Sequence, residues 1–296
     1  RMTTIHIANT ITIDGATPRQ VAALHERLDF YYTSRVMRNG ELRREQVLYQ
    51  VPRIETARMI VPYGSLEVVR EVLPDATYLP ATPWGPRCPG WSPCTLDNDE
   101  DREFQEECLQ ALYARFRQRR YANCLIAPCG SGKTRMALRL LGEIGRDALV
   151  VVHTKELLNQ WIERAHEAYP NLRIGIIGDG KCELASELTV ALVQTLYKRA
   201  VASEWSVAVW DEAHHISAQM FATTANAVNA TVKLGLTASE RRRDGLHPVV
   251  YATVGPIANR VEQSELNDAG VTMPPEVRWV ETGWTWKGDP ARDYTK

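Results

Sequence analysis

Beyond residue 120 the chain alternates short apolar runs with amphipathic segments. Five apolar runs have the length of strands and contain few polar residues: 148–152, 173–177, 188–193, 207–210 and 232–236. Segments with helical spacing of apolar residues lie among them, chiefly 155–168 and 217–228. Strands that are apolar on both faces and alternate with helices predict a parallel sheet covered on both sides. The predicted fold class of this region is therefore α/β.

The first 80 residues have a different pattern. Over 3–13 isoleucines alternate with polar residues, which predicts one half-buried strand. Pro18 follows a capping threonine and opens a predicted helix, and a second, short helix is predicted over 66–73. Together with extended segments between these helices, the pattern predicts a small α+β domain over residues 1–80.

Prolines and tryptophans then interrupt both kinds of pattern. Between residues 79 and 93 five prolines accompany Trp84 and Trp91, a composition that predicts a linker over 81–97. The tryptophans either pack the flanking domains together or stack on nucleic-acid bases. The remaining assignments are the α/β domain over 98–255, with a first helix over 102–119, and a connecting segment over 256–296, with a helix over 260–268 and an extended tail over 276–286.

Composition and charge exclude some classes of protein. Hydrophobic residues make up 44% of the 296 and charged residues 24%, which is usual for globular domains. The net charge of −1 gives no overall attraction for polyanions, so nucleic-acid binding would require a local basic surface. The six cysteines form no C-x-x-C pair, which favours free thiols over a zinc site. With no membrane-spanning apolar run and no signal peptide, we expect no membrane association and a cytoplasmic or other intracellular, nucleic-acid-containing location.

Candidate chemistry begins at the sequence APCGSGKT of residues 127–134, between a predicted strand and a predicted helix. This is the context of a P-loop, whose backbone N–H groups and helix N-terminus bind phosphate. The pattern departs from the strict P-loop at Ala127, where glycine is usual, and the alternative is an ordinary glycine-rich turn with an exposed lysine. We predict that Lys133 contacts β- and γ-phosphates and that Thr134 binds Mg²⁺. The residues predicted to hold the nucleotide here are Pro128, Cys129, Gly130, Ser131, Gly132, Lys133, Thr134 and Arg135.

A second, acidic motif follows the apolar run 207–210. Asp211 and Glu212 stand at the carboxyl end of that run, where ligands bind in α/β sheets. We predict that Asp211 binds Mg²⁺ and that Glu212 orients and deprotonates the attacking water. An isolated Asp-Glu pair usually caps a helix, but a P-loop about 80 residues upstream favours catalysis, with Lys133, Asp211 and Glu212 as the catalytic residues.

Taken together, these motifs resemble those of superfamily 2 helicases, in the branch of XPB and the phage UvsW-like DNA helicases. The matching segments, in family order, are 102–105 (adenine recognition), 127–134 (motif I), 152–158 (motif Ia), 193–196 (a strand-tracking motif), 211–215 (DEAHH, motif II), 236–239 (motif III) and 241–245. The resemblance implies a RecA-like P-loop domain with a parallel sheet, with ATP and Mg²⁺ as cofactors and DNA as partner. Residues 1–80 resemble the DNA-recognition module of these helicases more weakly.

The resemblance also implies nucleotide and backbone contacts. Arg102 and Gln105 are predicted to recognise adenine, with Gln105 reading the base. Five residues at strand ends are predicted to contact a nucleic-acid backbone, which positions a strand without reading its sequence: His153, Thr154, Lys155, Gln194 and Thr195. The alternative role of both threonines is helix capping.

Coupling between nucleotide binding and movement of the nucleic-acid strand is assigned from the same resemblance. The residues predicted to couple the two are His214, Thr237 and Ser239, with a structural role as the alternative for His214. Arg241 and Arg243 are predicted to clamp a phosphate, and a solvated loop is the alternative there.

The chain stops near Lys296, where such helicases continue into a second RecA-like domain with motifs IV to VI and arginine fingers. An arginine finger contributes about 10³–10⁵ in rate, so we expect a fragment that binds ATP weakly, hydrolyses it slowly and unwinds no duplex by itself. The predicted function is the ATP-binding half of a DNA helicase or translocase that remodels duplex or branched DNA. The alternatives are an RNA helicase, a nuclease-coupled motor, or a nucleotide-dependent nucleic-acid-binding module without turnover.

Overall fold

The fold is known over most of the chain. The computed structural model describes residues 3–38, 41–55, 58–79, 84–96, 102–199, 203–212, 216, 218–240, 245–273 and 278. Apart from residue 278, the predicted tail over 276–286 lies outside these ranges.

The N-terminal part forms a five-stranded sheet with two helices and a separate two-stranded hairpin. Its elements are β1 (Thr4–Ile7), β2 (Thr10–Asp14), α1 (Pro18–Leu28), β3 (Phe30–Arg38), β4 (Glu41–Tyr49), β5 (Arg53–Glu55), β6 (Arg58–Pro62), α2 (Leu66–Val72) and β7 (Thr77–Leu79). The strand order in the sheet is β5-β6-β2-β1-β7, and β3 pairs with β4. Both predicted helices, α1 and α2, are present.

The single strand predicted over 3–13 is wrong, because the chain reverses there into a hairpin. β1 and β2 are antiparallel, with Ile5 opposite Ile13 and Ile7 opposite Ile11. Opposite residues of a hairpin share a face, just as alternate residues of one strand do. The isoleucine pattern was therefore compatible with both arrangements, and the interruption at Asn9, which falls in the turn between β1 and β2, marks the hairpin.

The remainder of the chain builds one large sheet with helices on both faces. Its elements are α3 (Glu103–Arg117), β8 (Ala122–Ile126), α4 (Lys133–Ile144), β9 (Ala148–Val152), α5 (Lys155–Ala168), β10 (Ile174–Gly178), β11 (Lys181–Glu183), β12 (Leu188–Leu192), α6 (Val193–Lys198), β13 (Glu204–Trp210), α7 (Ala218–Ala227), β14 (Asn229–Thr237), α8 (His247–Val254), β15 (Ile257–Arg260) and α9 (Gln263–Asp268). The strand order is β11-β10-β12-β9-β13-β14-β8-β15. Neighbouring strands are parallel except for the antiparallel pair β10–β11.

The central strands are buried on both faces, as their apolar sequences require. All residues of β8, β9 and β12 are buried. Val150 of β9 packs in the cluster that contains α3, α4 and α5, whereas Leu149 and Val151 pack in the cluster that contains α7 and α8. The predicted parallel sheet with two covered faces is confirmed. No helix of the described ranges combines the length and the hydropathy needed to cross a membrane.

The predicted helix over 260–268 is only partly correct. Helix α9 starts at Gln263, and the preceding residues form β15, an edge strand that pairs with β8 through an irregular register. The partner strand is more than a hundred residues away in sequence, so no local pattern signals the pairing. Helix α6 begins at Val193, the last residue of the apolar run predicted as a strand over 188–193, and so follows β12 directly.

The N-terminal part packs closely against the large sheet. Tyr63 donates a hydrogen bond from its hydroxyl to the carbonyl of Thr231 on β14 at 2.8 Å. At Gly64 an added Cβ would lie 2.5 Å from the backbone nitrogen of Gly255. The two backbones therefore approach within a distance that only glycine permits.

A buried lysine lies at the centre of this contact. Lys233 of β14 is 0% exposed, and its Nζ donates to the carbonyls of Asn9 at 3.0 Å and Ala225 at 2.6 Å. Its ammonium lies 5.3 Å from the ring centroid of Tyr63 and 5.9 Å from that of Trp210, within the range of cation–π attraction. Burial lowers the pKa of Lys233 to about 7, because the interior disfavours the charged form. One side chain thus joins β14, α7 and the β1–β2 turn.

We expect the stability of the folded chain to rise with pH because of Lys233. The lysine pKa is 10.5 as a reference and about 7 in the fold. Between these values the unfolded state binds more protons, so the free energy of unfolding increases by up to about 1.4 kcal/mol per pH unit. Urea unfolding between about pH 7.5 and 9.5 measures the slope, and Lys233→Met should flatten it. The same slope in wild type and variant would contradict this assignment.

Candidate functional site

The predicted motifs meet at the carboxyl edge of the large sheet. Because β12, β9, β13, β14 and β8 run parallel, the segments that follow them lie side by side. The turn 127–132 follows β8, and Asp211 follows β13, two strands away in the sheet. Neighbouring strands are about 4.8 Å apart, so these two strand ends are about 10 Å apart. Side chains from both ends can therefore meet.

The turn before α4 is shaped by two glycines in the left-handed region. Gly130 has φ of 85° and Gly132 has φ of 82°, and α4 begins at the next residue. Ser131 between them is fully buried, and its hydroxyl has no hydrogen-bond partner among the described residues. At Gly130 an added Cβ would find its nearest neighbour at 3.8 Å, so space remains on that side. This turn at a helix N-terminus therefore has the character of an anion site.

Lys133 joins the turn to the acidic motif. The side chain is 8% exposed, and its Nζ donates to the carbonyls of Ala127 at 2.9 Å and Pro128 at 3.3 Å. The same atom lies 3.3 Å from Oε1 of Glu212. Two motifs that are far apart in sequence therefore share one ion pair.

Asp211 is held by a residue that sequence reasoning missed. Trp161 of α5 donates from its indole nitrogen to Oδ2 of Asp211 at 2.7 Å, and the backbone nitrogen of Glu212 donates to Oδ1 at 2.9 Å. Burial raises the pKa of Asp211 above its ordinary value, while the hydrogen bond from Trp161 opposes the rise. Helical spacing marks Trp161 as a core residue. The available signal was that a buried indole N–H needs an acceptor.

Thr237 connects the end of β14 to the turn 127–132. Its carbonyl accepts a hydrogen bond from the backbone nitrogen of Ala127 at 2.9 Å. Its hydroxyl donates to the carbonyl of Ser239 at 3.0 Å and accepts from the backbone nitrogen of Ser239 at 3.3 Å. The predicted coupling residues therefore form a local turn beside the turn 127–132.

Gln105 lies behind the turn. It is 2% exposed, with Nε2 donating to the carbonyl of Ser131 at 2.7 Å and Oε1 accepting from the backbone nitrogen of Arg102 at 3.1 Å. Both ends of the amide are engaged, so the side chain connects the start of α3 to the turn. Arg102 is exposed.

A cleft of about 750 Å³ opens between the turn, the acidic motif and α5, a volume suited to a small-molecule ligand. Its predicted members are Cys129, Gly130, Gly132, Lys133, Thr134, Arg135, Asp211 and Glu212, and its additional members are Thr95, Leu96, Leu138, Leu157, Gln160, Arg164 and Glu167. The additional residues come from the end of the linker and from helix faces. Apart from Leu157, which lies in the segment 152–158, they belong to no motif, and the sequence did not identify any of them as part of the site.

The predicted backbone-contact residues lie farther along the same edge. Gln194 donates from Nε2 to the carbonyl of His153 at 2.8 Å, which joins the segments after β12 and β9. Thr154 accepts a hydrogen bond from the backbone nitrogen of Leu157 at 3.2 Å and so caps α5. Helix capping is the alternative role given above for this residue. Thr195 lies inside α6, so the capping alternative is wrong for that residue. Four strand spacings separate the ends of β12 and β8, or about 19 Å.

Lys155 begins α5 and is exposed. It forms an ion pair with Asp179, which lies on the turn between β10 and β11. The remaining predicted residues, His214, Arg241 and Arg243, lie outside the described part of the chain.

Comparison with known proteins shows which families and proteins the chain resembles. Residues 98–242 match the family described as "Type III restriction enzyme, res subunit". The DNA 3'-5' translocase XPB2 of Sulfurisphaera tokodaii is 32% identical over 176 residues, 59% of this chain and 38% of that protein. The putative DNA 3'-5' helicase Rad25 of Halobacterium salinarum is 35% identical over 181 residues, 58% of this chain and 29% of that protein.

A solved structure extends the likeness beyond the sheet. The UvsW helicase of bacteriophage T4 aligns with a TM-score of 0.61 at 15% identity, covering 88% of this chain and 100% of that one. These matches support a resemblance to superfamily 2 helicases of the XPB and UvsW-like group, over their N-terminal RecA-like portion. The predicted resemblance is confirmed. The matched part of the chain spans well under half the length of the curated relatives named above.

Gly132→Ala should destabilise the fold. The added Cβ would lie 2.4 Å from Nε2 of Gln105 on a backbone with φ of 82°. Strained backbone and overpacking each cost about 1–3 kcal/mol, so we expect the free energy of unfolding to fall by about 2–4 kcal/mol in urea titrations. Gly270→Ala is the control, since φ there is 67° and no described atom lies within 4 Å. Equal losses in both variants would show that the Gln105 contact is unimportant.

Trp161→Phe should leave Oδ2 of Asp211 buried without its donor. Losing a hydrogen bond to a charged group costs about 1.5–3 kcal/mol of unfolding free energy at neutral pH. Because the indole stabilises the carboxylate form, the loss should shrink as pH falls and Asp211 becomes protonated in the fold. Trp205→Phe on β13 is the control, since the Trp205 indole donates no hydrogen bond within the described residues. A Trp161→Phe penalty that stays constant with pH would contradict the role of the hydrogen bond.

Proposed function

We propose that this chain is the ATP-binding part of an ATP-dependent DNA helicase or translocase that remodels duplex or branched DNA. One observation carries the proposal: the ammonium of Lys133 lies 3.3 Å from a carboxylate oxygen of Glu212. The lysine of a phosphate-binding turn and a candidate general base therefore share one site. The names of the XPB2 and Rad25 relatives, a DNA translocase and a DNA helicase, support the same class of reaction.

The residues at the site fit ATP and Mg²⁺. The buried hydroxyl of Ser131 and the open left-handed backbone at Gly130 suit a phosphate group. Thr134 and Asp211 supply oxygen ligands of the kind that Mg²⁺ takes. When bound, Mg²⁺ would neutralise charge on the β- and γ-phosphates.

The Lys133–Glu212 ion pair also sets the sequence in which contacts change during the proposed reaction. By turning toward phosphate oxygens, Lys133 gives up its contact with Glu212. Once Lys133 has moved, the carboxylate of Glu212 can orient the attacking water and accept its proton. Glu212 has φ of 50°, a strained backbone conformation of the kind stored at functional sites.

Adenine recognition by Arg102 and Gln105 belongs to the proposal. The Gln105 amide now bonds to Ser131 and Arg102, so reading a base requires it to exchange one of these partners. Because one partner, Ser131, belongs to the phosphate-binding turn, binding of a base would directly change a hydrogen bond of that turn.

We extend the proposal to DNA and to the rest of the motor. His153, Lys155, Gln194 and Thr195 supply the kinds of donor that position a DNA backbone. Residues 1–80 would form a DNA-recognition domain, joined by the linker 81–97 to the RecA-like domain 98–255. A second RecA-like domain, to which 256–296 would lead, would supply arginine fingers worth about 10³–10⁵ in rate. The proposed location is an intracellular compartment that contains nucleic acid.

Glu212→Gln should abolish turnover and spare nucleotide binding, because the amide cannot accept the proton of the attacking water. We expect turnover to fall by about 10²–10⁴, and Lys133→Ala to lose binding as well. The measurements are fluorescent ATP-analogue binding and steady-state ATP hydrolysis, without nucleic acid and with single-stranded DNA, branched duplex DNA or RNA.

Arg27→Gln is the control for these substitutions, because its exposed ion pair with Glu71 lies outside the cleft. Unchanged turnover in Glu212→Gln would indicate a nucleotide switch without catalysis. Stimulation by RNA but not by DNA would replace the DNA helicase proposal with an RNA helicase.

A further inference from the structure

A group of cationic side chains lies at the far end of the sheet edge, mostly outside the motifs. The turn between β10 and β11 packs against α6, and the two enclose a cavity of about 180 Å³. The cavity is lined by Gly180, Lys181, Thr195, Lys198 and Arg199. We call Lys155, Lys181, Lys198 and Arg199 the basic patch. Its last three members are exposed and form no ion pair with any described residue.

One carboxylate contacts the basic patch. Asp179 bonds to Lys155, and both side chains are about three-fifths exposed, at 62% and 60%. The hydrogen bond from Lys155, together with the charges of Lys155 and Lys181, holds the pKa of Asp179 below its usual value. The carboxylate therefore interacts with two members of the patch, which belong to different elements.

The backbone fixes the place of this carboxylate. Asp179 and Gly180 are the two residues between β10 and β11, and their φ angles are 50° and 81°. A type I′ hairpin turn requires positive φ at both central residues and favours Asp-Gly or Asn-Gly. Asp179 is thus presented to the basic patch by the turn itself.

We propose that the basic patch binds a phosphate of a nucleic-acid backbone and that Asp179 keeps its ion pair with Lys155 until a nucleic-acid strand binds. The inference rests on the proposed function, which it deepens by naming a phosphate contact beyond the motifs. Lys198 and Arg199 have no acidic partner in the described structure and line the same cavity as Lys181. These cations repel one another, and a polyanion relieves that repulsion by displacing counterions. An exposed ion pair is weak, so a phosphate can replace the Asp179 carboxylate at Lys155.

Asp179→Asn tests the role of the carboxylate. Asn-Gly suits the same turn, so the substitution changes the charge and keeps the backbone. In the variant a phosphate no longer has to displace the carboxylate, but the number of phosphate contacts in the complex is unchanged, so the dependence of log K on log salt for single-stranded DNA should change little. The Kd at low salt should fall by roughly threefold to tenfold.

Glu71→Gln is the matched control, since Glu71 forms an exposed pair with Arg27 in the N-terminal part. If wild type binds DNA and Asp179→Asn leaves the Kd at low salt unchanged, the role of Asp179 is wrong. In Lys155→Gln, the further substitution Asp179→Asn should have only the smaller effect that comes from Lys181, and a gain as large as in the presence of Lys155 would equally overturn the pairing.

The basic patch itself is tested by the double variant Lys198→Gln, Arg199→Gln. Losing two phosphate contacts should make the salt slope shallower by about 1.4. The control is Arg117→Gln, Arg119→Gln, which removes the same charge from the exposed end of α3. Equal effects of both pairs would attribute the change to overall charge and overturn the patch. A third outcome is that neither wild type nor any variant binds DNA, although ATP binding that depends on Lys133 is retained. That outcome would overturn the DNA part of the proposed function and the patch with it.

Discussion

Parallel pairing of the central strands is the constraint on which the candidate site depends. Parallel strands end on the same edge, and each is followed by a segment that leaves the sheet. In this chain those segments carry the glycine-containing turn 127–132, the acidic motif and the residues predicted to contact a nucleic-acid strand. Their order along the edge is set by strand order alone. Strands β8 and β13, separated by β14, place Lys133 and Glu212 within contact, while β12 and β10 hold the cationic end farther away.

Two buried lysines show two ways in which this fold accommodates a charge. Lys133 has a carboxylate partner in Glu212, and a buried charge with a partner can exchange that partner for another anion. Lys233 is fully buried and held by two carbonyls and two aromatic rings. Such a lysine has no anion to exchange, so its contacts hold the N-terminal part against β14. The first arrangement suits a ligand site and the second suits a fixed interface.

The sequence predicted features that depend on neighbouring residues and missed those that depend on distant ones. The bounds of α5, Lys155–Ala168, follow from a capping threonine and an apolar face that are both local. The turn before α4 follows from two glycines and a lysine. By contrast, the pairing of β15 with β8 and the bond from Trp161 to Asp211 join residues far apart in sequence. The position of Gln105 against Ser131 has the same character.

Helix α5 connects the two ends of the sheet edge. Its first residue, Lys155, pairs with Asp179 at the cationic end, and Trp161 holds the Asp211 carboxylate in the cleft. Six residues separate them, about 9 Å along a helix axis. One helix therefore presents a cation to the patch at its exposed N-terminus and, about two turns on, a buried donor to a candidate Mg²⁺ ligand. The exposed lysine can change its partner by rotating its own side chain, whereas the buried indole is fixed by the core around it. The two ends of the edge are thus built on the same element with different freedom, mobile at the cationic end and rigid in the cleft.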